Sequence, residues 1–94
     1  MKIEIRKRAF NTIIKVAEFV ESKNTSGSGL RWMNKVEEKI ESLAEAKVKA
    51  AYCHHPSLAK YNFRCIAYND WIIVYRISET KFEVCRFIYA PSLP

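Results

Sequence analysis

The chain has 94 residues, and 16 Lys and Arg against 10 Asp and Glu leave a net charge of +6 with both His neutral. That length fits a single domain, residues 1–94, and excludes a two-lobed catalytic fold, because folded domains typically hold about 50 to 250 residues. Hydrophobic residues reach 49%, with only 2 Gly and 3 Pro, which excludes a disordered linker or a fibrous repeat.

The charge is uneven. Residues 1–46 carry nine basic and seven acidic side chains, whereas residues 47–94 carry seven and three. An acid-poor second half suits an anionic partner, either nucleic acid or an acidic protein segment, although surplus charge also serves solubility.

In chain order, Ile3 and Ile5 alternate with charged neighbours, which reads as a short half-buried strand over 2–6. Arg6, Lys7 and Arg8 form a basic junction. Phe10, Ile13, Ile14, Ala17 and Val20 then recur at helical spacing, so a helix is expected over 7–23. Asn24–Gly29 is a small-polar break, with Ser26 or Ser28 as the candidate N-cap of a second helix over 29–48. Its apolar stripe is Leu30, Met33, Val36, Ile40, Leu43 and Ala44. Two amphipathic helices joined so closely should form an antiparallel hairpin.

Residues 49–62 show no period, and Pro56 interrupts them. Three strands are expected next, over 63–68, 71–77 and 82–89. Asn69-Asp70 and residues 78–81 supply the turns, and Pro91 and Pro94 follow the last strand. The Trp71–Tyr75 run is continuously apolar, as in a central strand buried on both faces. The order is β-α-α-β-β-β. It predicts an α+β fold of two layers, with a helical hairpin packed on a mostly antiparallel four-stranded sheet.

Cys53, Cys65 and Cys85 make no C-x-x-C pair, and an odd count argues against a complete disulfide framework. Reduced thiols in a cytoplasmic protein are expected. The N-terminus lacks an apolar signal core, and no apolar run approaches the ~20 residues that span a membrane. Adjacent His54 and His55 without a cysteine knuckle are poor zinc ligands, so neither metal nor cofactor is expected.

The ordered set resembles the RelE/ParE toxin family of type II toxin–antitoxin modules. Ile3-Glu-Ile-Arg-Lys-Arg-Ala-Phe10 looks like the family's opening strand and first helix. Ile40, Leu43 and Ala44 look like its helix end. Phe63-Arg64 and Asn69-Asp-Trp-Ile-Ile-Val-Tyr-Arg-Ile77 are similar to its hairpin, and Phe82–Tyr89 to its final strand. The resemblance implies a bacterial toxin, of the kind linked to plasmid stabilisation, neutralised by a cognate antitoxin. Its target would be either the ribosome with its mRNA, cut as an mRNA interferase, or DNA gyrase, inhibited without nuclease chemistry. The first is the leading expectation. A non-toxic relic that only binds antitoxin is a third reading, and a homodimer is open.

Metal-independent RNA cleavage needs a group to take the 2′-hydroxyl proton, cations for the phosphorane and an acid for the leaving oxygen. Arg64, Arg86, Tyr89 and His55 are the catalytic candidates, and Lys47, Lys49, His54 and Lys60 the RNA-binding ones. Arg suits bidentate phosphate contact, Tyr89 closes the final strand, and an unperturbed His titrates near ~6.5. The structural alternatives are carboxylate pairing or snorkelling at a sheet edge for the arginines, packing for Tyr89, and an exposed loop pair or a cap for the histidines. Trp71, Tyr75 and Phe87 are expected in the core rather than as base-stacking platforms. The chain departs from both family patterns at its end, where no Lys or Arg follows Arg86.

Overall fold

The computed structural model describes residues 1–93; Pro94 lies outside the described residues. Strand β1 (Lys2–Ile5) leads into helix α1 (Lys7–Lys23), then α2 (Ser28–Glu45), a short helix α3 (Pro56–Ala59), and strands β2 (Arg64–Tyr68), β3 (Trp71–Ile77) and β4 (Lys81–Tyr89). A single 3-10 turn, Ala90–Ser92, follows. The sheet order is β1-β4-β3-β2. β1 runs parallel to β4, and the other two pairings are antiparallel. The expected α+β sandwich with a helical hairpin on one face is therefore present.

The helices pack on the sheet through Ala9, Ile13, Val36, Ile40, Leu43 and Ala44, which meet Ile73, Tyr75, Phe82, Val84 and Phe87. The apolar stripe of α1 is rotated from the expected one. Ala9, Ile13 and Ala17 are buried, while Phe10 is 47% exposed. Ile13 and Ala17 belong to both faces, so spacing alone does not choose between Ala9 and Phe10. Leu30 of α2 is likewise 63% exposed.

The start of α2 differs too. Neither Ser26 nor Ser28 caps it; Gly27 occupies that position with φ 88° and no side-chain cap. The cap comes from α1 instead. Glu21 accepts from the Gly27 and Gly29 N–H groups, both at 2.9 Å. These two bonds hold the Glu21 carboxylate below its ordinary pKa. At Gly29 the helices approach closely, since a Cβ there would lie 2.5 Å from the Ala17 carbonyl oxygen.

α2 ends three residues before the expected boundary. Lys47 turns left-handed at φ 51°, and Lys47 and Val48 N–H groups return to the Ala44 and Leu43 carbonyls, both at 3.1 Å. This is a Schellman stop with Lys where Gly is usual, so no glycine marked it in the sequence.

The second face of the sheet is also covered. Residues 49–63 fold back over it, and Cys53, Leu58 and Phe63 pack against Val74, Cys85 and Ile88. β3 is thus buried on both sides, as its apolar run requires. Residues 51–53 pair with β2 through Cys53 N–H to Phe63 O (2.8 Å) and Cys65 N–H to Ala51 O (3.1 Å). This brings Cys53 and Cys65 to a Cα separation of 5.0 Å, and they form a disulfide. The expectation of three free thiols is corrected here. The pairing that joins these two cysteines, 12 residues apart, is tertiary and leaves no spacing signature. Cys85 remains free and buried.

Candidate functional site

The candidates lie on several parts of the fold. Arg64 opens β2, where its Nη1 donates to the Ala50 carbonyl at 2.7 Å and its Nη2 to the Tyr52 hydroxyl at 3.2 Å. Its guanidinium also lies 4.3 Å from the Tyr52 ring centre. These contacts tie the returning 50–52 segment to the sheet. The same side chain lines a cleft of about 340 Å³ with Tyr52, Tyr61, Asn62 and Arg76.

Tyr89 ends β4 opposite Trp71, whereas Arg64 stands opposite Tyr75. Four residues along the strands and two strand spacings across them put Arg64 and Tyr89 about 16 Å apart between Cα atoms. Tyr89 belongs to an aromatic group instead. Its ring is 5.3 Å from Trp71, which stacks on Phe87 at 4.7 Å. Trp32 of α2 meets both at their edges.

His55 is the N-cap of α3, and its Nδ1 accepts from the Ser57 N–H at 3.2 Å. Ser57 Oγ lies 2.7 Å from the same nitrogen. His54 beside it is exposed. Lys60 lies 5.1 Å over the Tyr61 ring. Lys47 and Lys49 line a different cleft of about 360 Å³, with Met1, Ile77 and Glu79.

Arg86 is directed by a break in the β3–β4 ladder. Val74 pairs with Arg86, but Tyr75 pairs with Val84, so Cys85 is an extra residue on β4. Such a bulge puts two successive side chains on one side of the sheet. Cys85 and Arg86 both line a cleft of about 340 Å³ on the face away from the helical hairpin, with Arg6, Arg8, Arg76 and Phe63. Strict alternation would have aimed Arg86 into the core.

Two of these arginines are engaged. Arg6 meets Glu83 side-on, at 3.1 Å from Nε and 3.4 Å from Nη2. Arg76 lies 4.6 Å over the Phe63 ring, and its Nη2 is 3.4 Å from the Tyr61 carbonyl. Arg8 and Arg86 have no carboxylate partner among the described residues. Burial, and then the neighbouring Arg8 charge, push the Arg86 guanidinium below its ordinary pKa. Burial pushes the Cys85 thiol up, which keeps it protonated and unreactive.

The structure therefore brings Arg86 together with Arg6, Arg8 and Arg76; Arg64 lines a neighbouring cleft that shares Tyr61 and Arg76 with it, while Tyr89 and His55 stand in two other settings. The Arg6–Arg8 junction was visible in the sequence. Its meeting with Arg76 and Arg86 was not, since it depends on β1 lying beside β4 and on the bulge. Among the described residues no three or more His, Cys, Asp or Glu side chains stand close enough to hold a metal ion, and no helix is long and apolar enough to cross a membrane.

A mixed four-stranded sheet carrying a helical hairpin on one face and a basic cleft on the other defines a small basic α+β fold. The family model described as the ParE toxin of type II toxin–antitoxin system, parDE, matches residues 3–90. The chain belongs to the ParE toxin family. Among solved structures it is similar to a chain described as the chromosomal ParDE TA system from P. aeruginosa, with 12% identity, a TM-score of 0.74 and 95% of each chain covered. At that identity the likeness is one of fold. No curated protein matches the sequence.

Proposed function

We propose that this toxin acts by binding rather than by chemistry, with DNA gyrase as its target, a cognate antitoxin as its neutralising partner and the bacterial cytoplasm as its location. The observation that carries this reading is the scattering of the candidate catalytic groups. One scissile phosphodiester needs its base, its acid and its stabilising cations within hydrogen-bond reach of the reacting atoms. Arg64 and Tyr89 are about 16 Å apart by the register above. His55 spends its Nδ1 on capping α3. The match to the ParE toxin family model is in keeping with the same choice. The hydrogen bonds between residues 51–53 and 63–65 hold the returning loop to the sheet beside the Cys53–Cys65 disulfide.

The helical hairpin offers a surface for an antitoxin helix. An open apolar groove of about 430 Å³ runs along Ile14, Ala17, Leu30 and Met33. Amphipathic helices bind such grooves through their apolar face.

Purified protein is added to a gyrase supercoiling assay and, separately, to programmed ribosomes with mapping of mRNA ends. The expected outcome is loss of supercoiling with intact mRNA. Codon-phased cuts with unimpaired gyrase would replace this reading with mRNA cleavage. Silence in both assays, with harmless overexpression, would leave only antitoxin binding.

A further inference from the structure

We propose that Cys53 and Cys65 form a reversible thiol–disulfide switch, exchanging with low-molecular-weight thiols such as glutathione, that fixes or frees the loop walling the two arginine clefts. The inference concerns the redox chemistry of the fold and stands whichever target the toxin has.

The first support is the framework that holds the two cysteines. Tyr52 and Arg64 form an antiparallel bridge. It is flanked by the bond from Cys53 N–H to Phe63 O at 2.8 Å and that from Cys65 N–H to Ala51 O at 3.1 Å. Arg64 adds its side-chain bonds to the Ala50 carbonyl and the Tyr52 hydroxyl. None of these contacts needs the sulfur–sulfur bond. They hold the two Cα atoms at 5.0 Å, within the span a disulfide requires, so the bond can open and close again without a search for its partner.

The second support is what lies between the cysteines. Of residues 54–64, only Leu58 and Phe63 are buried. The backbone hydrogen bonds of this stretch run within it: Leu58 and Ala59 N–H to the His55 carbonyl, Tyr61 N–H to Leu58 O and Asn62 N–H to Ala59 O. An outward tie is long, the Tyr61 carbonyl accepting from Arg76 Nη2 at 3.4 Å. Segments with few buried apolar contacts open locally at low cost. A covalent bond across the neck of the loop restricts that opening by removing chain entropy from the open state. The consequence reaches the site, because Tyr61 lines both arginine clefts and Asn62 lines the one beside Arg64.

The third support is access. Cys65 is half-buried, whereas Cys53 is 5% exposed. An incoming thiol that has given its proton to water therefore attacks Cys65 Sγ. The new bond joins the reductant to Cys65, the bond to Cys53 breaks, and the electron pair leaves on Cys53 Sγ, which takes up a proton. A second reductant thiolate then attacks the reductant's own sulfur in this mixed disulfide and releases Cys65 Sγ, which is protonated in turn. One protein disulfide and two reductant thiols thus give two protein thiols and one reductant disulfide, and oxidised glutathione reverses the sequence. Cys85, 2% exposed, stands outside the exchange. Disulfides in cytoplasmic proteins are usually transient or redox-sensing, in keeping with the location proposed above; the test is made on purified protein and does not depend on that location.

The full chain is equilibrated from both directions over a series of reduced-to-oxidised glutathione ratios, then denatured and alkylated, and its thiols are counted by mass. The count is expected to pass from the single thiol of Cys85 to all three cysteines within the range of cellular glutathione poise. A bond that survives that whole range, or never forms under oxidised glutathione, would overturn the proposal. Amide hydrogen exchange by NMR compares the two forms. The Tyr61 and Asn62 amides should exchange about tenfold faster in the reduced protein, while those of β3 change less than about twofold. Cys53→Ser/Cys65→Ser should show the fast loop exchange at every ratio, and Cys85→Ala should switch as wild type does. Should the double variant fail to fold, reduced wild-type protein makes the same comparison. Equal protection of the loop in both forms would overturn the proposal, since hydrogen bonds alone would then hold it. Equal acceleration in the loop and in β3 would overturn it too, because the bond would then stabilise the whole fold rather than gate the loop.

Discussion

Tyr75→Phe isolates one hydroxyl on which the returning loop depends. The Tyr75 side chain is fully buried and its ring stacks on Phe82 at 4.5 Å, contacts that Phe retains. The hydroxyl donates to the Val48 carbonyl at 2.6 Å and accepts from the Ala50 N–H at 3.0 Å. Removing it leaves one donor and one acceptor without protein partners. Each such group costs about 1–3 kcal/mol when fully buried. Val48 and Ala50 are half-buried, so water recovers part of that. The net loss should be about 2 kcal/mol. For a domain of this size each kcal/mol moves the melting midpoint by roughly 4–8 °C, so a drop of about 8–16 °C is expected. Thermal and urea unfolding measure it, and the urea m-value should not change, because the folded core stays the same size. A midpoint shift below about 3 °C would refute the reasoning, since the two hydrogen bonds would then contribute almost nothing net.

Two further substitutions test the hairpin and the Arg6–Glu83 ion pair. Gly29→Ala should destabilise despite alanine's better helix propensity. Its Cβ would meet the Ala17 carbonyl at 2.5 Å and Glu21 at 3.2 Å, forcing the helices apart at a cost of about 1–3 kcal/mol, and calorimetry should show a lower midpoint. Glu83 is subject to burial, which raises its pKa, but the hydrogen bond and charge of Arg6, with Lys81 and Arg76, outweigh this and hold it below its ordinary value. A carboxylate depressed in the folded state stabilises above its unfolded pKa of about 4.3, and that contribution fades as the pH falls through the lower folded value. Glu83→Gln should therefore be less stable than wild type by about 1 kcal/mol at neutral pH, with the two denaturation curves converging in acid. A gap that stays constant from pH 7 to strong acid would rule out the ion pair as its cause.

Local pattern carried much of the architecture. The alternation of Ile3 and Ile5, the two helical stripes and the Trp71–Tyr75 run each report a period that depends only on the residue's own element. The Asn69-Asp70 turn was legible for the same reason, and Asn69 does take a positive φ of 54°. The helix ends were less legible. Glu21 caps α2 from another helix, and the stop at Lys47 lacks the glycine that usually marks it.

Sequence alone determined a basic α+β fold with the element order β-α-α-β-β-β, because hydrophobic period and turn chemistry are local. Tertiary structure decided where its arginines act. The parallel seat of β1 beside β4 brings Arg6 to Glu83, and the bulge at Cys85 turns Arg86 outward beside Arg8. The same long-range pairing joins Cys53 to Cys65 and leaves Arg64 and Tyr89 at different ends of the sheet. Which strands lie side by side, and which face a side chain takes after a bulge, are set by contacts between distant segments, and no local spacing records them.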